Sequence, residues 1–181
     1  MAMRARPDIT PKGRVDVDID IHGVGIGALY YAAADGSSLT RPRKNILSPN
    51  GVGLSPWEDV GYVADTLTAR LFACGIEAPG KLARSSHVPG PIVVTRNGHQ
   101  GFDSLAVEAG GKVCVATLFN GGISVIDADG TVEHIPFPDA VTTNICFGGE
   151  DMRDAWVTCS GTGRLYKCRW PRPGLRLNFS R

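Results

Sequence analysis

Three polar residues recur at matching places in the chain: Asn50, Asp103 and Asn144, each at the head of an apolar run. Amide and carboxylate oxygens are hard donors. Several of them converging on one axis make a site for calcium, magnesium or manganese, and sometimes zinc. The plainer reading is that Asn and Asp open strands after turns because their side chains satisfy local backbone groups. On the residues alone both readings stay open.

Either reading needs elements that carry the three residues to equivalent places. Helical periodicity is nearly absent. The chain runs as short stretches of four to seven apolar or β-branched residues, such as PIVVT, VCVAT, GISVI and AWVTC, cut by Gly, Pro, Asp and Asn. That pattern predicts an all-β protein. Ala-Asp-Gly at 34–36 and again at 128–130 reads as a hairpin turn. The stretch from Asn50 aligns with the stretch from Asn144: Tyr62 and Trp156 each fall 12 residues on, and Arg70 and Arg164 each fall 20 on. The stretch from Asp103 fits the same frame with one deletion. Starts 53 and 41 residues apart, each followed by short strands, are the signature of β-propeller blades. Gly27 to Leu47 reads as the outer two strands of a blade whose inner strands are missing. The expectation is about three and a half four-stranded blades over 27–181, preceded by an irregular segment, 1–26.

Composition narrows the function classes. The chain has 181 residues, 19 Lys and Arg against 18 Asp and Glu, and is 43% hydrophobic. This is a globular composition, and the balance of charge argues against a nucleic-acid surface. No apolar run is long enough to span a membrane, and the basic N-terminus has no apolar stretch behind it to read as a secretory signal. The five cysteines include no C-x-x-C pair, which predicts buried, reduced thiols in a cytoplasmic protein and argues against a structural zinc site. GIEAPGK has phosphate-loop glycine spacing, but Leu82 stands where Ser or Thr is needed, so it reads as a turn. No G-x-S-x-G occurs, and His99, although near Asp103 in sequence, reads as a loop residue.

SPNGVGLSP (48–56), YVADT (62–66), GFDSLAVEAGGKVCVATLFNGGISVI (101–126) and TTNICFGGEDMRDAWVTCSGTGRLYK (142–167) together resemble the SMP-30/gluconolactonase/LRE-like family over about residues 27–181. The resemblance implies a six-bladed propeller with one divalent metal ion in its channel and hydrolysis of sugar lactones. It places metal ligands at Asn50 and Asp103, makes Asp103 the general base, and leaves Asn144 as a channel or substrate contact. The metal it implies is calcium, zinc, manganese or magnesium. The family's third ligand is a Glu near the N-terminus. No Glu precedes Asn50 here, the first being Glu58. The alternative is a non-catalytic propeller fragment or binding module that lacks the complete metal site. The partners expected are a small-molecule lactone and, through open propeller edges, further copies of the chain, with neither nucleic acid nor membrane.

Overall fold

The computed structural model describes residues 9–10, 13–18, 27–84 and 92–178, and among these there is no helix. The strands form four antiparallel sheets in which chain neighbours pair. Sheet 1 holds β1 (Ile9–Thr10), β2 (Gly13–Asp18), β3 (Gly27–Ala32) and β4 (Leu39–Ile46). Sheet 2 holds β5 (Pro49–Leu54), β6 (Val60–Asp65) and β7 (Arg70–Ala78). The edge of β7 pairs at one end with β8 (Lys81–Leu82) and at the other with β9 (Ile92–Thr95). Sheet 3 holds β10 (Gly101–Val107), β11 (Val113–Leu118), β12 (Gly122–Ile126) and β13 (Val132–Pro136). Sheet 4 holds β14 (Thr142–Gly148), β15 (Asp154–Cys159) and β16 (Arg164–Arg169).

The apolar runs follow from how the sheets are covered. In β11, Val113 and Val115 join Tyr62, Leu71 and Phe102 in the layer between sheets 2 and 3. Cys114 and Ala116 turn the other way, onto Ile145, Ala155 and Val157 of sheet 4. A strand covered on both faces cannot alternate with polar residues, so β11 and β12 read as continuous apolar segments. In β15 the buried Ala155, Val157 and Cys159 alternate with Asp154, Trp156 and Thr158, the mark of a sheet covered on one face. Both Asp-Gly turns are hairpin tips, with Gly36 at φ +76° and Gly130 at +86°, where a Cβ would be strained. The Pro79-Gly80 stretch is likewise the turn between β7 and β8.

Two expectations need correction. Within the segment read as irregular, β2 pairs with β3 along Asp18↔Ala28 to Arg14↔Ala32, so the first sheet has four strands where two were expected. The Val-Asp alternation from Val15 is a strand pattern, but it runs out into Gly23, Gly25 and Gly27, which is why the pattern alone does not assign the segment to a blade. The thiols are all free, and Cys74, Cys114 and Cys159 are buried, but Cys168 is only half-buried and Cys146 is exposed on the outward face of β14.

Asp139 organises the loop that enters sheet 4. It accepts from the Val141 N–H at 2.7 Å and from both the N–H and the hydroxyl of Thr162 at 2.7 Å. The Thr162 hydroxyl, then the Val141 N–H, hold its carboxyl below the usual aspartate range. The folded state therefore binds the proton less well than the unfolded chain. The resulting stability is present above the unfolded pKa and is lost as pH falls through the folded value. Thermal melts from about pH 6 to about pH 3 should show a smaller acid-induced loss of Tm in Asp139→Asn than in the wild type. Equal slopes would contradict this role.

Candidate metal centre

Asn50 and Asp103 are aimed by the same device. In sheet 2, Pro49 pairs with Asp65 and the next pair is Val52 with Val63, so Asn50 and Gly51 bulge opposite a single residue. In sheet 3, Phe102 pairs with Thr117 and the next pair is Leu105 with Val115, so Asp103 and Ser104 do the same. A bulge breaks the alternation of the strand and re-aims the side chain it carries. Each residue is the first after the last regular pair of its sheet's first long strand. Asp65 fixes the entry to β5 by accepting from the N–H groups of Leu47 (3.1 Å), Ser48 (3.2 Å) and Thr68 (3.2 Å).

The two side chains meet. The Asn50 amide donates through Nδ2 to Asp103 Oδ1 and to Thr66 Oγ1, the latter at 3.3 Å. Glycines permit this approach: a Cβ on Gly51 would lie 2.7 Å from the Asp103 carbonyl oxygen, and one on Gly101 would lie 2.9 Å from that of Thr66. Asp103 is 5% exposed, and burial pushes its carboxyl up to about 6, against the opposing hydrogen bonds from Asn50 and the Ser104 N–H. Among the described residues no Lys, Arg or His forms an ion pair with it. A buried carboxyl with no cationic partner, beside a neutral amide, fits part of an oxygen-donor cation site. Among the described residues no three His, Cys, Asp or Glu side chains gather to complete one.

Asn144 is not part of this pair. In sheet 4, Thr142 pairs with Cys159 and Asn144 already pairs with Thr158, so the extra residue is Thr143. By register Thr143, not Asn144, matches Asn50 and Asp103. The spacing to Trp156 misled the alignment because the β14–β15 hairpin is one residue longer than its counterpart in sheet 2. Asn144 is exposed, and its Oδ1 accepts from the Ile145 N–H at 2.8 Å. It lines a groove of about 290 Å³ with β5, β10 and the segment Leu175–Asn178, and neither Asn50 nor Asp103 borders that groove. His99 lies in the loop before β10 and stacks on Phe119, ring centroids 4.3 Å apart.

Successive antiparallel meanders with polar residues at matching bulges of their first long strands define an all-β protein of the kind that builds propellers. The chain belongs to the family described as SMP-30/Gluconolactonase/LRE-like region, whose model matches residues 9–161. Lactonase drp35 of Staphylococcus aureus (strain MW2) is 30% identical over 105 residues, covering 58% of this chain and 32% of that protein. The chain therefore matches about a third of the length of these curated relatives. Among solved structures, the calcium-binding protein regucalcin from Agrobacterium tumefaciens superposes with a TM-score of 0.77 at 22% identity, over 96% of this chain and 65% of its own. A gluconolactonase from Xanthomonas campestris gives 0.69 at 22%, over 93% of this chain and 57% of its own. At these identities the superpositions establish the shared fold.

Proposed function

We propose that this chain carries part of the site of a metal-dependent hydrolase of sugar lactones, built on the six-bladed propeller that the family resemblance implies. The observation that supports this reading most directly is the meeting of Asn50 and Asp103 at matching bulges of two sheets. Asp103 would give the anionic oxygen and Asn50 the neutral one to a hard divalent ion such as calcium, magnesium, manganese or zinc. When bound, such an ion supplies Lewis-acid polarisation of a carbonyl and acidifies water. In the hydrolysis, water adds to the lactone carbonyl carbon, the ring C–O bond breaks, and a hydroxy acid forms. Asp103 would take the proton of that water. Asn144, in the neighbouring groove, is a candidate contact for the sugar.

Hydrolysis of gluconolactone over a titration of each metal tests the reading. Asp103→Ala should lose activity by about 100-fold or more, the scale of a lost general base. Asn50→Ala should need more metal but recover most of the rate at saturation. Undiminished activity in Asp103→Ala would overturn the assignment.

A second reading, a metal-binding module without turnover, is favoured by the two-residue donor set among the described residues. It predicts metal binding abolished by Asp103→Ala in a chain with no measurable hydrolysis. Among the described residues sheet 4 has three strands where sheets 1 and 3 have four, and Leu165 on β16 is 64% exposed. An unpaired strand edge recruits another strand. Self-association of copies through β16 follows, seen by light scattering as dimers or larger; a monodisperse monomer would contradict it.

A further inference from the structure

We propose that Phe119 is a specificity-determining residue of the candidate metal centre: its exposed ring supports the carbon face of the lactone ring, with Asn50 and Asp103 at the carbonyl end. The inference rests on reading Asn50 and Asp103 as the polar centre of a lactone site and names a residue that selects the substrate. Sites for small organic molecules pair apolar or aromatic walls with a few placed polar groups. The Asn50–Asp103 pair supplies only the polar part. A sugar lactone presents C–H bonds on the faces of its ring, and the negative face of an aromatic ring attracts them.

Register brings an apolar wall to the same end of the sheets. The last regular pairs before the two bulges are Pro49 with Asp65 and Phe102 with Thr117. Two residues beyond Asp65 and Thr117, in the β6–β7 and β11–β12 turns, stand Leu67 and Phe119, 65% and 52% exposed. Gly101, two residues before Asp103, lies between these turns. It pairs with Leu118, and a Cβ on it would meet the Thr66 carbonyl oxygen at 2.9 Å and Leu118 Cδ1 at 3.7 Å. In sheet 4 the matching residue is Gly161, which has no side chain, so the wall belongs to the two sheets that carry Asn50 and Asp103. Phe119 is held in place against its own preference. Its φ is +67°, a conformation that suits Gly and is rare for a bulky residue. Its N–H donates to the Ala140 carbonyl at 2.6 Å, and His99 stacks on its ring with the planes 25° apart. A turn gains nothing from Phe at such a position, and strain kept by surrounding contacts is a mark of functional sites.

The test uses the whole chain and two probes. Mn²⁺ binding is followed by electron paramagnetic resonance. Gluconolactam, the ring-closed amide analogue of gluconolactone, is titrated calorimetrically into the Mn²⁺-loaded chain. Phe119→Gly removes the ring and suits the positive φ; Phe119→Tyr keeps the ring. Phe119→Gly should weaken lactam binding by about five- to tenfold, the scale of one aromatic contact. It should leave Mn²⁺ affinity unchanged and Tm no more than about 3 °C below the wild type. Phe119→Tyr should bind the lactam as the wild type does, and Asp103→Ala should abolish Mn²⁺ binding. Unchanged lactam affinity in Phe119→Gly, equal losses in Phe119→Gly and Phe119→Tyr, or a larger fall in Tm that marks the ring as a packing element would overturn the role of Phe119 alone. Mn²⁺ binding without lactam binding in the wild type would overturn the lactone reading and the role of Phe119, and leave the cation site standing. Failure of the wild-type chain to bind Mn²⁺, or binding that survives Asp103→Ala, would overturn the cation-site reading and the role of Phe119 with it.

Discussion

Replacing Glu108 by alanine should lower the stability of the chain by about 3 kcal/mol, or roughly 6–12 °C in Tm for a chain of this size. Glu108 closes the far end of β10 and is only 1% exposed. Its carboxylate accepts from the Trp170 indole N–H at 2.7 Å and from Arg172 Nε at 2.6 Å, and the Cys114 thiol lies 3.4 Å from Oε1. These contacts tie the segment after β16 back across sheet 3. The backbone does the same nearby, where Ala109 N–H bonds to the Pro173 carbonyl and Leu175 N–H to that of Val107. Alanine would leave the buried indole N–H without an acceptor and open a cavity beside Cys114, and an unsatisfied buried donor costs its desolvation in full. Arg172 contributes less, because its side chain is 33% exposed and can turn to water or keep Glu133, 3.0 Å from Nη2. Glu108→Gln should recover much of the loss, since its amide oxygen can still accept from Trp170. A thermal melt of Glu108→Ala within about 2 °C of the wild type would refute this anchoring role.

The all-β class was legible because apolar runs and turns are local signals. VCVAT and GISVI are apolar throughout since both faces of sheet 3 are covered. The matching strand positions of Asn50 and Asp103 were legible because each heads such a run at the same frame. What spacing cannot give is register. One extra residue in the β14–β15 hairpin moves the bulge to Thr143, and only the pairing of Thr142 with Cys159 reveals it. Glu108 also stayed hidden. Its partners Trp170 and Arg172 lie more than 60 residues away, and nothing around a Glu in VEAGG marks it as buried. Strand β2 escaped although Val and Asp alternate along it, because the pattern stops in glycines and its partner β3 lies beyond them.

Gly51→Ala should both destabilise the chain and weaken any metal site, whereas Gly53→Ala, two residues on in the same strand, should do much less. The contrast rests on what each new methyl meets. At Gly51 a Cβ would lie 2.7 Å from the Asp103 carbonyl oxygen and 2.9 Å from the Leu105 amide nitrogen, both backbone atoms of β10. Neither can rotate away, so β5 and β10 must part by several tenths of an ångström. Overpacking of this kind costs about 1–3 kcal/mol. The separation also falls between Asn50 and Asp103, the residues flanking the clash, and pulls apart the oxygens that would share an ion. At Gly53 the close contact is Leu105 Cδ1 at 2.7 Å, the far end of a flexible side chain that can change rotamer. Thermal melts and Mn²⁺ titrations of both variants check this. Gly51→Ala should lose several degrees of Tm and most of the metal affinity, with Gly53→Ala close to the wild type in affinity. Equal effects at the two positions would show that the approach of the β5 and β10 backbones does not set the geometry of the Asn50–Asp103 pair.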